Sequence, residues 1–112
     1  MKKILQMFIL YLGFIQPVFA GLTFTGKILS ILTGPAYGSS VLIEVDGDSS
    51  GERGCLPNGN FDFGFDGSTE NGKIYLSTLL TAYAAQKTVR LESTSTCSYF
   101  STVPDLESIW VK

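Results

Sequence analysis

Histidine is absent from the 112-residue sequence. That excludes a Ser-His-Asp triad and a Cys-His pair, because both need an imidazole as the base. It also removes the commonest transition-metal ligand. Cysteine is scarce, with only Cys55 and Cys97. Zinc takes about four ligands, so these two cysteines without histidine make a poor metal site. Clustered positive charge is missing too. Beyond the first residues, Lys27, Arg53, Lys73, Lys87, Arg90 and Lys112 are scattered along the chain. A nucleic-acid binder carries a basic patch that neutralises phosphates, so nucleic acid is not an expected partner. The sequence has no long run of one charge, no internal repeat and no low-complexity tail.

What is present begins with a leader. Lys2 and Lys3 form a short basic start, and an apolar run follows from Ile4 to Ile15. Gln16-Pro17 breaks it, and Val18-Phe19-Ala20 places small residues at the −3 and −1 positions of a cleavage site. This three-part layout predicts a secretory signal peptide over residues 1–20, cut near Ala20-Gly21. A membrane span needs about 20 mostly apolar residues, whereas this run is interrupted by Gln6 and stopped by Pro17. The short Lys-Lys start looks bacterial. The expected product is secreted or periplasmic, with no stable membrane anchor after cleavage.

Residues 21–112 make a 92-residue chain, enough for one domain with a thin core. It holds six basic against ten acidic residues, a net charge of −4. In an exported chain an even cysteine count favours a disulfide. A Cys55–Cys97 bridge would close 42 residues. In the chain-entropy model that contributes roughly 4 kcal/mol, a large share of a small domain's stability.

Hydrophobic periodicity gives the elements. Leu22–Ile31 reads as a long first strand whose alternation slips at Gly26, as at a bulge or bend. Ser40–Asp46 is a second strand, with Val41, Ile43 and Val45 on one face and Leu42, Glu44 and Asp46 on the other. Gly47–Gly59 reads as a polar loop holding Cys55. Asn60–Asp66 is a third strand, with Phe61, Phe63 and Phe65 inward and Asp62, Gly64 and Asp66 toward water. From about Asn71 to Gln86 the period changes: Leu76, Leu79, Leu80, Tyr83 and Ala84 recur as on one helix face. Ser68 or Thr69 is the expected N-cap, with Glu70 near the positive helix end and Lys87 near the other. Thr88–Glu92 and Leu106–Lys112 complete five strands, with a loop holding Cys97 between them. The chain is thus expected to be mainly β with one helix, in the order β-β-β-α-β-β. That is the element order of the OB-fold, a five-stranded Greek-key barrel. An open α+β sheet with one helix packed on it is the rival, and periodicity does not separate the two.

The segment Leu79-Leu80-Thr81-Ala82-Tyr83-Ala84-Ala85-Gln86-Lys87-Thr88-Val89-Arg90-Leu91 resembles the helix-to-strand segment of B-subunit-like proteins of the subtilase cytotoxin type. The resemblance covers the second half of the chain. It implies an exported OB-fold domain with a disulfide, assembled as a homo-oligomer and binding sialylated glycans. No position here matches that family's sugar-binding serine, so no glycan residue is carried over.

The chemistry-bearing groups point to binding rather than catalysis. Asp62 and Asp66 share a face of strand three, and Glu44 and Asp46 share one of strand two. A glycosidase needs two carboxylates across a cleft, which a small filled barrel does not provide; these read as solvated outer-face charges. Asp46-Gly47-Asp48-Ser49-Ser50-Gly51 begins like a calcium loop, with oxygens from Asp46, Asp48 and Ser50. Pro57 stands where a bidentate Glu belongs, so an ordinary polar turn is the stronger reading. The aromatic residues Tyr37, Tyr99, Phe100 and Trp110 are the ligand-binding candidates. OB-fold ligands contact the strand two and three face and the loops joining strands one to two and four to five. Aromatic rings stack on sugars and also anchor protein interfaces. Packing over the disulfide is an equal reading for Tyr99 and Phe100, and burial under the helix or chain end for Trp110. Two functions stand: a non-catalytic, glycan-binding oligomeric module, or a monomeric exported protein that binds or inhibits a protein partner. Neither requires a cofactor.

Overall fold

The computed structural model describes residues 21–55 and 59–112. The leader and Pro57 lie outside the described residues. The strands are β1 (Thr23–Gly26), β2 (Ile28–Leu32), β3 (Ser40–Val45), β4 (Asp48–Ser50), β5 (Phe63–Asp66), β6 (Val89–Ser93) and β7 (Leu106–Val111), with one helix, α1 (Glu70–Ala84). They form two antiparallel sheets, ordered β4-β1-β6-β7 and β2-β3-β5. The protein is therefore mainly β with one helix. Among the described residues there are seven strands rather than the expected five, in two sheets rather than one closed barrel.

The two additional strands have local causes. The expected first strand breaks after Gly26, and its halves enter different sheets: β1 pairs with β6, and β2 with β3. Lys27 sits at the break. Its amide donates to Asp46 Oδ1 at 2.9 Å, and its carbonyl accepts from the Asp46 amide at 3.0 Å. A Cβ at Gly26 would collide with the Asp46 carbonyl, so only glycine allows the two segments to cross this closely. The second addition comes from the expected polar loop. Gly47, at a φ of 112°, turns the chain so that Asp48–Ser50 pairs with Thr23–Thr25 of β1.

The core lies between the sheets and under the helix. It contains Leu22, Ile28, Val41, Ile43, Val45, Phe63, Phe65, Leu79, Ala82, Val89, Leu91 and Leu106. Phe24 meets Phe63 edge-on, and Phe65 meets Tyr75 in the same way, the geometry that aromatic quadrupoles favour. The expected inward alternation of Val41, Ile43, Val45, Phe63 and Phe65 is present, with Phe61 only half-buried.

Four expected orientations are corrected. Leu42 and Gly64 were expected outward but are buried, because the β6–β7 loop folds over that face and sets Val103 against both. Asp62 was expected on an exposed strand face. It instead precedes β5, half-buried, and its Oδ2 accepts from the Val45 amide at 2.9 Å. The helix is turned relative to its expected face: Gly72, Leu79 and Ala82 are buried, while Leu80 and Tyr83 are exposed. Gly72 explains this rotation. A side chain there would collide with the Asp66 carbonyl, so the helix start docks flush on the end of β5. An alternation that puts Trp110 outward on β7 requires Ile109 and Val111 to point inward. A register shift opposite Glu92 and Ser93 interrupts its alternation, and Leu106 and Ile109 face the core while Val111 is exposed.

Outside the main core, Leu42, Val103 and Pro104 are almost fully buried. They form a second, small apolar layer between the three-stranded sheet and the β6–β7 loop. The Cys55–Cys97 disulfide joins that loop to the segment after β4. Arg53 Nη2 donates to the Thr102 carbonyl at 2.9 Å across the same gap. The two sheets also touch along one line: Gly64 and Asp105 make a parallel bridge, and the Gly64 amide donates to the Pro104 carbonyl at 3.0 Å. Among the described residues, no helix is long and apolar enough to cross a membrane.

Candidate functional site

Three loops meet at one end of the molecule. The β2–β3 connection contains a short 3-10 turn, Pro35–Tyr37. Proline sets its φ, and the Tyr37 amide closes it on the Gly34 carbonyl at 2.9 Å. The turn presents Tyr37 to the β6–β7 loop, where its ring lies 6.1 Å from that of Phe100. The Ser40 hydroxyl donates to the Tyr99 carbonyl at 3.3 Å, tying the same two loops by a second contact.

The β6–β7 loop owes its shape to Asp105. This carboxylate is buried, at 6 % exposure. Its Oδ1 accepts from the Ser98 amide at 2.8 Å and the Tyr99 amide at 3.3 Å. Its Oδ2 accepts from the Thr96 hydroxyl at 2.7 Å. A buried carboxylate must be paired or fully hydrogen-bonded; here it gathers the chain around itself and so fixes where Tyr99 stands. At the loop's far end the Val103 amide donates to the Phe100 carbonyl at 3.0 Å.

The third element is the turn from β5 into α1. Asp66 Oδ1 accepts from both the amide and the hydroxyl of Ser68, at 2.9 and 2.7 Å. These bonds, with a further one from the Ser39 hydroxyl, hold the Asp66 carboxyl below its usual range. Thr69 is the N-cap, as one of the two expected residues, and its hydroxyl accepts from the Gly72 amide at 2.9 Å.

A cavity of about 220 Å³ opens beside this turn, lined by Phe65, Asp66, Thr69, Asn71, Gly72, Tyr75, Tyr99 and Leu106. Phe65, Tyr75 and Leu106 supply apolar surface. Asp66, Thr69 and Asn71 supply polar atoms, and Tyr99, 47 % exposed, supplies an open ring. The Tyr75 hydroxyl is committed to the Glu107 carbonyl at 2.6 Å. A second, shallower hollow of about 290 Å³ lies across the turn, between Ser39, Ser40, Gly67, Ser68 and Leu76.

Three of the four aromatic candidates, Tyr37, Tyr99 and Phe100, are thus brought onto one face. Trp110 is not. It lies on β7 paired with Arg90, is 61 % exposed, and has Lys112 Nζ 5.4 Å from its ring centre. Of the carboxylates Glu44, Asp46, Asp62 and Asp66, Glu44 and Asp62 are near enough for their charges to interact. Each accepts a bond from its surroundings: Ser30 for Glu44, Lys27 for Asp46, Val45 for Asp62 and Ser68 for Asp66. Burial raises the Asp62 carboxyl, against lowering by the Val45 amide and Arg53. Of the calcium candidates, Asp46 is engaged with Lys27, and Asp48 and Ser50 belong to β4. Among the described residues, no three His, Cys, Asp or Glu side chains are grouped as a metal site.

No family model, curated protein or solved structure matches the chain.

Sequence reasoning did not single out Asp105, Thr69 as a lining residue, or Asn71. Asp105 carried one usable signal. It follows Val103-Pro104 and precedes Leu106, and a lone carboxylate in an apolar run implies either exposure or a buried set of donors. The sequence does not say which, because its donors come from residues 96–99.

Proposed function

We propose that the mature domain is an exported, non-catalytic glycan-binding module of OB-like architecture, and that the Tyr99 cavity is its binding site. Support for the architecture comes from the order of contacts. Taking β1 and β2 as one bent strand and β4 as an added edge on β1, each of the other strands neighbours the next around a ring, with the parallel Gly64–Asp105 bridge linking the two sheets. Of the loops that OB-folds use for ligands, strand four to five lines the cavity through Tyr99, and strand one to two packs Tyr37 beside it against Phe100.

The observation that carries the binding assignment is the convergence of Tyr37, Tyr99 and Phe100 beside a small cavity that also holds Asp66, Thr69 and Asn71. A sugar ring has an apolar C–H face and a rim of hydroxyls. It matches an exposed aromatic beside carboxylate, hydroxyl and amide groups. The lack of histidine supports a non-catalytic role. A glycan array probed with the disulfide-bonded mature domain tests the assignment. Binding is expected, and Tyr99→Ala is expected to abolish it while the protein stays folded; no signal on any glycan contradicts it.

A second reading has its own observation. Trp110 exposes apolar surface on β7, away from the cavity, and exposed aromatics anchor protein interfaces. We assign this face to association, either with further copies, as the resemblance to subtilase-cytotoxin-type B subunits implies, or with a different exported protein. Light scattering separates them: a monomer in solution contradicts the oligomeric form.

A further inference from the structure

We infer that the Tyr99 cavity selects a neutral hexose ring and disfavours acidic sugars such as sialic or uronic acids; this rests on the glycan-binding assignment above and goes beyond it in naming the ligand's charge. The cavity's size admits a single ring. At about 220 Å³ it falls below the ~300–1,000 Å³ of pockets that enclose drug-sized ligands.

Its charge decides which ring. Phe65, Asp66, Thr69, Asn71, Tyr75 and Tyr99 line it with one carboxylate and no cation. Asp66 stays ionised at any neutral pH, because Ser68 bonds to its charged form. The nearest helix residues do not reverse the sign. Glu70 adds a second negative charge, and Lys73 is drawn to Glu70 at 3.9 Å. The Gly72 amide, which could have received an anion, is already taken by Thr69 Oγ1. An incoming carboxylate would therefore meet a fixed negative charge with no cation in the lining to pair with.

For a neutral ring the same groups are favourable. A carboxylate has about four acceptor directions; Ser68 uses two on Oδ1 and the Ser39 hydroxyl a third. Asp66 keeps capacity to accept from sugar hydroxyls, in bonds that gain strength from its charge. Asn71 offers both donors and an acceptor. Thr69, whose hydroxyl already donates to the Asp66 carbonyl at 3.1 Å, keeps acceptor capacity only. Tyr99 offers a face for the C–H side. A repelling unit charge about 5 Å away in a water-like medium weakens binding roughly fourfold, and more where water is excluded.

The test is a heteronuclear NMR titration of the mature, disulfide-bonded domain with methyl glycosides of galactose, glucose and mannose, with lactose, and with sialyllactose. At least one neutral sugar is expected to shift the Asp66, Asn71 and Tyr99 amides saturably. Sialyllactose is expected to bind no more tightly than lactose, and Asp66→Asn to narrow any gap between them. Sialyllactose binding about tenfold or more tighter than lactose at this site would overturn the inference while leaving the glycan assignment standing. No shift with any of the five sugars would overturn both.

Discussion

The three-stranded sheet is covered on both faces, by different means. On the inner face, Val41, Ile43, Phe63 and Phe65 pack into a continuous apolar core with α1 and the second sheet. On the outer face, Leu42 and Gly64 lie under one irregular loop, whose apolar contribution is Val103 and Pro104. That loop is held by a disulfide, by Arg53 and by the hydrogen bonds of Asp105. The inner face builds the domain by area; the outer face builds the site by a few specific links. The proposed binding aromatics Tyr99 and Phe100 stand on the second kind of structure. Stability and binding should therefore separate under mutation.

The largest expected effect is on the inner face. Phe63→Ala should cost about 3–5 kcal/mol of unfolding free energy, measured by urea denaturation, with sugar affinity per folded molecule unchanged. Replacing Cys55 and Cys97 together with Ser should cost about 4 kcal/mol in the chain-entropy model. Unlike Phe63→Ala, it should also weaken sugar binding in protein that remains folded, because the β6–β7 loop loses its anchor. Next is Asp105→Ala, which removes three bonds to a charged acceptor and should cost about 2–3 kcal/mol. Asp105→Asn keeps an acceptor for the Ser98 and Tyr99 amides and should recover much of both stability and binding. If Asp105→Ala changed stability without touching affinity, the carboxylate would not be positioning Tyr99.

The smallest effects are on pH dependence, and they run in opposite directions. Asp66 is lowered in the folded state, so its contribution is present above the ordinary carboxylate value of 3.8 and is lost as the pH falls through its folded value. Asp62 is raised by burial. Its protonated form favours the fold, a contribution full below 3.8 and lost as the pH rises through its folded value. Melting curves at pH 7 should show Asp66→Asn lowering Tm and Asp62→Asn leaving it level or slightly higher. Near pH 2 both differences should shrink.

How much of this was legible in the sequence follows from the same contrast. The inner face was readable, because alternation at Val41, Ile43, Val45, Phe63 and Phe65 is a local signal. The disulfide partners were readable from the cysteine count. The outer face was not. Leu42 and Gly64 looked solvent-facing because what covers them, Val103, lies about forty and more residues away in an irregular segment, and a loop fold leaves no period. The helix was found within two residues at each end, but its face was misjudged. Leu80 and Tyr83 suggested the stripe, whereas the close approach of Gly72 to Asp66 sets the rotation. Tyr37, Tyr99 and Phe100 could be named as candidates but not joined, since their meeting depends on Asp105 and a 3-10 turn at Pro35.

The central claim is that the ligand sits at the three-loop face and not on the exposed end of β7. The chain's single tryptophan makes this directly measurable, because the Trp110 indole N–H gives one isolated NMR signal. In a titration with the best-bound sugar, the account predicts saturable shifts confined to residues 34–40, 65–75 and 97–106, with the Trp110 indole unmoved. Shifts of the Trp110 indole and of β7, with the Tyr99 region silent, would contradict it.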